Sequence, residues 1–217
     1  MASISTVVEK AALPDTAAER TYRRRVWYWA LYDVANHAYI TTFNSTFFPT
    51  YFIAIAAPAF IALGEPDAIA RDTASNYYAF VTSLALFIAA LLAPVVGTYA
   101  DITGARKRLL VVTSAVGAAI ASAAFVLTTG MWVLGLAIYL LTQLAMNIAL
   151  GLSSSLLPHV AREDDLNRVS SLGYAMGYVG GGVLLLLNVI VFFAADAGKL
   201  PFDGSTAVRI AFFSVGV

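Results

Sequence analysis

Asp33, Asn36 and His37 stand in a run from Val26 to Gly64 that carries no other formal charge. Spacings of three and four residues put all three side chains on one face of a helix. A carboxylate, an amide and an imidazole on one face can bind a polar solute or move a proton. Asp33 begins about 10 Å into the apolar run, too deep for a short acid to reach the interface easily. An acid at that depth costs about 2.5 to 3.5 kcal/mol on insertion scales, so it must face protein or a water-filled path. Two readings stay open: a local Asp33–His37 pair that fixes packing, or a group that handles substrate or protons.

Other polar or small residues recur at helical spacing. Gln143, Asn147 and Gly151 lie four apart and form one stripe, which suits either a cavity wall or interhelical hydrogen bonds. Gly173, Gly177 and Gly181 repeat at the same interval and would let a second helix approach closely or a helix flex. Tyr174 and Tyr178 flank that stripe and would present hydroxyls to a polar ligand. Enzyme chemistry has little support. There is no cysteine, no phosphate-binding G-x-x-x-x-G-K-[ST] segment and no metal-ligand spacing for the two histidines, and Ser153-Ser154-Ser155 is only distantly followed by His159. No cofactor is expected. The Arg162-Glu163-Asp164-Asp165 island reads as a solvated loop.

The elements that must position these groups follow from composition. Hydrophobic residues make up 60% of the 217-residue chain and charged residues 12%, and the mean hydropathy is +0.78; a chain of this kind belongs in a bilayer. Runs such as Leu184-Leu185-Leu186-Leu187 do not alternate, which argues for helices over a β-barrel. The uncharged runs predict spans at about 26–50, 75–99, 108–128, 132–157 and 170–195, with a break at Thr128-Thr129-Gly130. A sixth span at 208–217 would be incomplete, its last eight residues reaching only about 12 Å, so the sequence reads as a fragment. Residues 1–25 form a polar tail without the apolar core of a secretory signal. Ten Lys and Arg residues fall on one side of these spans, at Lys10, Arg20, Arg23–Arg25, Arg106–Arg108, Arg162 and Arg168, against three at Arg71, Lys199 and Arg209. That bias predicts a cytoplasmic N-terminus, without deciding between plasma and organelle membrane. Trp27, Tyr28 and Trp29 would form an inner aromatic belt and Tyr77 and Tyr78 an outer one. A zero net charge gives no reason to expect nucleic acid as a partner.

The loop between the second and third spans reads Gly97-Thr98-Tyr99-Ala100-Asp101-Ile102-Thr103-Gly104-Ala105-Arg106-Lys107-Arg108. It resembles the G-x-x-x-D-x-x-G-[RK]-[RK] loop of the major facilitator superfamily, with Ala105 at a usually basic position and positive charge resuming at Arg106 and Lys107. Gly97 would permit close helix contact, Gly104 a tight turn, and Asp101 would cap or pair at a helix end. The segment Tyr32-Asp33-Val34-Ala35-Asn36-His37-Ala38-Tyr39 is similar to Y-D-W-A-N-S-A-Y of the vacuole-effluxer-like branch, whose fungal members are linked to amino-acid efflux; Val34 replaces Trp and His37 replaces Ser. Leu156–Ala161 and Arg168–Gly181 resemble the same branch.

The resemblance implies an all-α integral membrane protein: the N-terminal six-helix bundle of a major facilitator fold, with its sixth helix truncated. It also implies transport of a small polar solute, such as an amino acid, by alternating access, with the lipid bilayer and a C-terminal half of the same transporter as partners. A non-transporting scaffold or receptor, or a natural half-transporter, is the competing expectation.

Overall fold

The computed structural model describes residues 17–216; Lys10 and most of the polar tail lie outside the described residues. Helix α1 spans Ala17–Ala38 and passes through a π-helical stretch, Tyr39–Phe47, into α2, Phe48–Ala62. Helices α3, Asp67–Thr103, α4, Arg106–Ala123, α5, Trp132–Val160, α6, Leu166–Asp196, and α7, Gly204–Ser214, follow. There is no strand among the described residues. Five segments are long and apolar enough to cross a membrane: Ala17–Ala62, Asp67–Thr103, Arg106–Val126, Trp132–Val160 and Glu163–Asp196. The chain is an all-α, multi-pass membrane protein.

Helices α1, α3 and α6 begin ahead of the apolar stretches that announce them, at Ala17, Asp67 and Leu166, because flanking polar and charged residues continue the backbone ladder into the interface. Helix α7, at the expected sixth span, begins at Gly204, ahead of the apolar run from Ile210, because Asp203 caps it. The Asp203 carboxylate accepts from the Thr206 backbone N–H at 2.8 Å, and its hydrogen bonds with Thr206 hold its pKa below the ordinary value. The mid-run break predicted near Thr128–Gly130 is present, with Gly130 at φ 87 in the left-handed region and its N–H donating to the Ile55 carbonyl at 3.0 Å. Tyr51 reinforces this contact by donating to the Leu127 carbonyl at 2.7 Å.

Two kinds of packing hold the bundle. Rings fill the space between α2, α3, α5 and α7: Phe48 stacks on Phe43 at 4.8 Å and on Tyr139 at 4.9 Å between centroids, and Phe212 meets Phe43 edge-on. Glycine does the opposite work between α1 and α6. A Cβ at Gly173 would meet the Trp29 ring, one at Gly177 the His37 ring, and one at Gly181 the His37 carbonyl carbon and oxygen at 2.8 Å. The glycine repeat is therefore a seam of close approach. Large exposed side chains on α3, Phe80, Phe87, Leu91 and Val95, recur on one face and suit contact with lipid tails.

Two aromatic expectations change. Trp29 packs against Gly173 with its Nε1 buried, leaving Trp27 and Tyr28 exposed beside the arginines. Tyr78 is half-buried and donates to the Tyr139 hydroxyl at 3.0 Å, so it faces the bundle. Tyr77, by contrast, stays exposed while stacking on Phe60 at 5.7 Å. Hydrogen-bond donors and glycine neighbours decided these orientations, and neither is visible in a local run of aromatic residues.

Candidate functional site

Asp33, Asn36 and His37 are all buried, at 8%, 3% and 6% exposure. His37 Nδ1 lies 3.0 Å from the Asp33 backbone carbonyl and 3.7 Å from Asp33 Oδ2. A carbonyl only accepts, so in this contact Nδ1 is the donor. The imidazole is gripped on its other side by Tyr178 and Tyr174, edge-on at 4.8 and 6.0 Å between centroids. Gly177 makes this possible, since any side chain there would occupy the space of the ring.

These residues line a cavity of about 380 Å³ between α1, α5 and α6, completed by Trp29, Ser153, Ser154 and Ser170. Its walls hold two buried donors without partners among the described residues, Trp29 Nε1 and Asn36 Nδ2. Buried donors are ordinarily bonded, so two beside one cavity, both closed off from solvent, mark a place where a small side-chain movement would let an outside acceptor bond. Asp33 supplies the opposite chemistry, a carboxylate able to hold a cationic group or a proton. Beyond the Asn36 level, Thr41 Oγ1 bonds the His37 carbonyl at 2.8 Å and the Gly181 carbonyl at 3.2 Å, just where the helix changes to π geometry. A hydroxyl competing for a ladder carbonyl and a backbone pressed against glycine are local reasons for that change.

A second cavity of about 340 Å³ lies between the π stretch, α3 and α5. Asn36, Ile40 and Leu150 line both cavities and so divide them. Here Gln143 and Asn147 appear, but in a network closed on itself. Tyr39 donates to Gln143 Oε1 at 2.7 Å, and Gln143 Nε2 donates to the Tyr139 hydroxyl at 3.1 Å. Tyr139 donates to Asn44 Oδ1 at 3.1 Å and accepts from Tyr78 and from Thr82 at 3.2 Å. Asn147 turns its amide to the Gln143 carbonyl at 2.7 Å. The Gln143–Asn147 stripe is thus a cavity wall and an interhelical hydrogen-bond site at once.

The α3–α4 turn forms a third feature. Gly104 has φ 65, the left-handed conformation a tight turn needs. Arg106 holds Asp101 Oδ1 through Nε at 2.7 Å and Nη2 at 2.6 Å, and Nη1 reaches the Ser155 carbonyl of α5 at 3.4 Å. Lys107 is exposed and has no ion pair among the described residues. Gly97 departs from expectation: a Cβ there would meet nothing within 4 Å, as at Gly151, because both border an open cavity of about 270 Å³. At the same end of the bundle, the acidic island is exposed yet latched. Arg162 pairs with Glu19 at 2.7 Å and lies 4.0 Å over the Tyr22 ring, while Tyr22 donates to Asp165 Oδ2 at 2.8 Å.

The structure therefore gathers Asp33, Asn36, His37, Tyr174 and Tyr178 at one cavity, joins Gln143 and Asn147 to it through Asn36, and keeps the loop motif apart. Sequence reasoning passed over Trp29, Tyr39, Asn44, Tyr78 and Tyr139. Tyr39 follows Asn36 by three residues and could have been found from that spacing. Tyr78 and Tyr139 meet only through tertiary packing. Among the described residues no cluster of His, Asp and Glu is arranged to hold a metal.

Comparison with known proteins agrees with this architecture. The chain is 27% identical over 185 residues to an "Uncharacterized MFS-type transporter YxiO" of Bacillus subtilis (strain 168), covering 85% of this chain and 41% of that protein. It thus spans about two fifths of the curated relative's length. No solved structure matches. The family described as "Vacuole effluxer Atg22 like" matches residues 21–217, and the chain belongs to that family.

Proposed function

We propose that this chain supplies one wall of a solute path for secondary active or facilitative transport of a small polar solute, an amino acid being the reading the chemistry favours. The observation that carries it is the cavity between α1, α5 and α6, where two unpartnered donors, Trp29 Nε1 and Asn36 Nδ2, share walls with the Asp33 carboxylate. Donors that lack acceptors suit a solute carboxylate, and Asp33 suits its ammonium. The name of the Bacillus subtilis relative supports transport as the class.

Residues 26–217 then act as the N-terminal half of the transporter and pair with a C-terminal half across this face, residues 1–25 forming a cytoplasmic tail. The two cavities lie toward opposite ends of α1 and α5, divided by Asn36, Ile40 and Leu150. In alternating access the solute passes this divider as one side closes and the other opens. The glycine seam lets α6 slide on α1 without opening a void, and the Asp101–Arg106 pair ties the α3–α4 turn to α5 during the motion.

The decisive experiment separates concentration from exchange in proteoliposomes. Asp33→Asn keeps size and hydrogen bonding but removes titration. Expected is loss of accumulation against a gradient with exchange at least partly retained, at equal folded protein. Full concentrative uptake by the variant would remove Asp33 from the mechanism. A fall in folded yield, with accumulation and exchange reduced together, would make it a packing residue.

A further inference from the structure

We propose that the groove between the arginine-rich ends of α1 and α6 binds the headgroup phosphate of an anionic phospholipid. The groove encloses about 210 Å³, and Arg23 and Arg168 both line it. Both are exposed, and neither has an ion pair among the described residues. Of the acids beside them, Glu19 pairs with Arg162 at 2.7 Å, and Asp165 is oriented by the Tyr22 hydroxyl at 2.8 Å while keeping its charge, so Arg23, Arg168 and Arg162 outnumber the two carboxylates by one. Two guanidinium groups are left facing a shared space, the arrangement that takes a phosphate by paired N–H···O bonds.

What distinguishes this groove from a soluble anion site is its floor. Val26, Trp27, Val169 and Leu172 complete the lining. Trp27 is 53% exposed, as an interfacial indole is when it flanks a headgroup. From Leu172 an exposed apolar face continues through Val179 and Val183. Leu172 to Val183 is a rise of about 16 Å, close to the depth of one leaflet. This face lies on the far side of α6 from the solute cavity, since Leu172 and Tyr174 are about 200° apart around the helix. An acyl chain can therefore follow α6 down into the bilayer from a phosphate held at Arg23 and Arg168. A choline headgroup would bring another cation beside Arg23, Arg168 and Arg162, so charge favours a headgroup without one, such as glycerol.

Native mass spectrometry on the natural protein carrying this segment, titrated with phosphatidylglycerol and phosphatidylcholine of equal chain length, tests the site without reference to transport. Phosphatidylglycerol is expected to bind at least about tenfold more tightly. Arg23→Gln with Arg168→Gln should weaken it by about 10- to 30-fold, as two interfacial charges would. Arg24→Gln with Arg25→Gln removes the same charge outside the groove and should change binding by less than about threefold. Equal weakening by the two pairs, or no preference between the lipids, overturns the proposal. Leu172→Glu leaves both arginines in place but spoils the acyl seat, so it decides the matter if the arginine pair fails to fold: undiminished binding by this variant also overturns the proposal. Displacement of the lipid by millimolar glycerol phosphate would make this a soluble-phosphate site and reject the lipid.

Discussion

The two cavities share Asn36, Ile40 and Leu150, yet their polar groups are in opposite condition. Around Tyr139 the donors of Tyr78, Thr82, Gln143 and Tyr139 itself have acceptors: one hydroxyl receives Tyr78, Thr82 and Gln143 and gives to Asn44. Beside His37 the Trp29 Nε1 donor has none among the described residues, and neither has Asn36 Nδ2 on the shared divider. A closed network gains its stability within the protein, whereas open donors lower their free energy when something enters. Proximity and burial alone would have placed both cavities in one class. The state of the hydrogen bonds separates a framework that fixes α3 and α5 to α1 from a cavity beside which donors lack partners among the described residues.

The largest expected effect lies at the seam on which the open cavity depends. Gly181→Ala would put a Cβ 2.8 Å from the His37 carbonyl carbon and oxygen, and backbone cannot move aside as a flexible side chain can. Overpacking of this kind costs about 1 to 3 kcal/mol. The variant should show reduced folded yield and a lower melting temperature in detergent. Gly182→Ala, where a Cβ meets nothing within 4 Å, should behave as the natural protein. Equal behaviour of the two variants would mean that the seam is not a tight contact.

Next in size is the contrast between networks. Tyr139→Phe removes a hydroxyl with four partners and leaves Gln143 Nε2 and Asn44 Oδ1 without their bonds to it, which should cost about 1 to 3 kcal/mol of stability. Asn36→Leu removes a donor that has no partner, so stability should be unchanged or slightly raised while the apparent affinity for solute falls. Melting curves read against concentration dependence of uptake check both. If Tyr139→Phe affects affinity alone and Asn36→Leu affects stability alone, the assignment of the two cavities is reversed.

This contrast also explains what the sequence could and could not disclose. Asp33, Asn36 and His37 were recoverable because helical spacing alone puts them together, and Gly173, Gly177 and Gly181 because glycine at every fourth position needs a neighbour close by. The helices themselves followed from uncharged runs. Tyr78 and Tyr139 were not recoverable, since they sit on different helices, 61 positions apart, and their hydroxyls meet only after packing. Trp29 was misassigned to the interface because the pattern Trp27-Tyr28-Trp29 beside arginines fits a belt, and only the helix rotation set by Gly173 turns Trp29 inward. Gly97 fails as a contact for a related reason: a motif names a residue type, while the distance to a neighbour is decided elsewhere in the fold.

The smallest perturbation asks which side each cavity opens toward. The chain has no cysteine, so single thiols report without background. Ser154 lines the cavity beside His37, near the end of α5 that meets Arg106 through Ser155. Leu86 lines the cavity beside Tyr139, at the middle of α3. Neither substitution should alter stability much, since Ser154 bonds only its own helix at the Leu150 carbonyl and Leu86 is 49% exposed. With the arginine-rich end in the cytoplasm, Ser154→Cys should react with an impermeant maleimide from that side and Leu86→Cys from the other. Both rates should respond to solute in opposite directions, because a transporter that opens one cavity closes the other. Reaction of both thiols from one side would mean that Asn36, Ile40 and Leu150 do not divide the path. Rates that ignore solute would mean that the cavities open independently, and alternating access would then need a divider elsewhere.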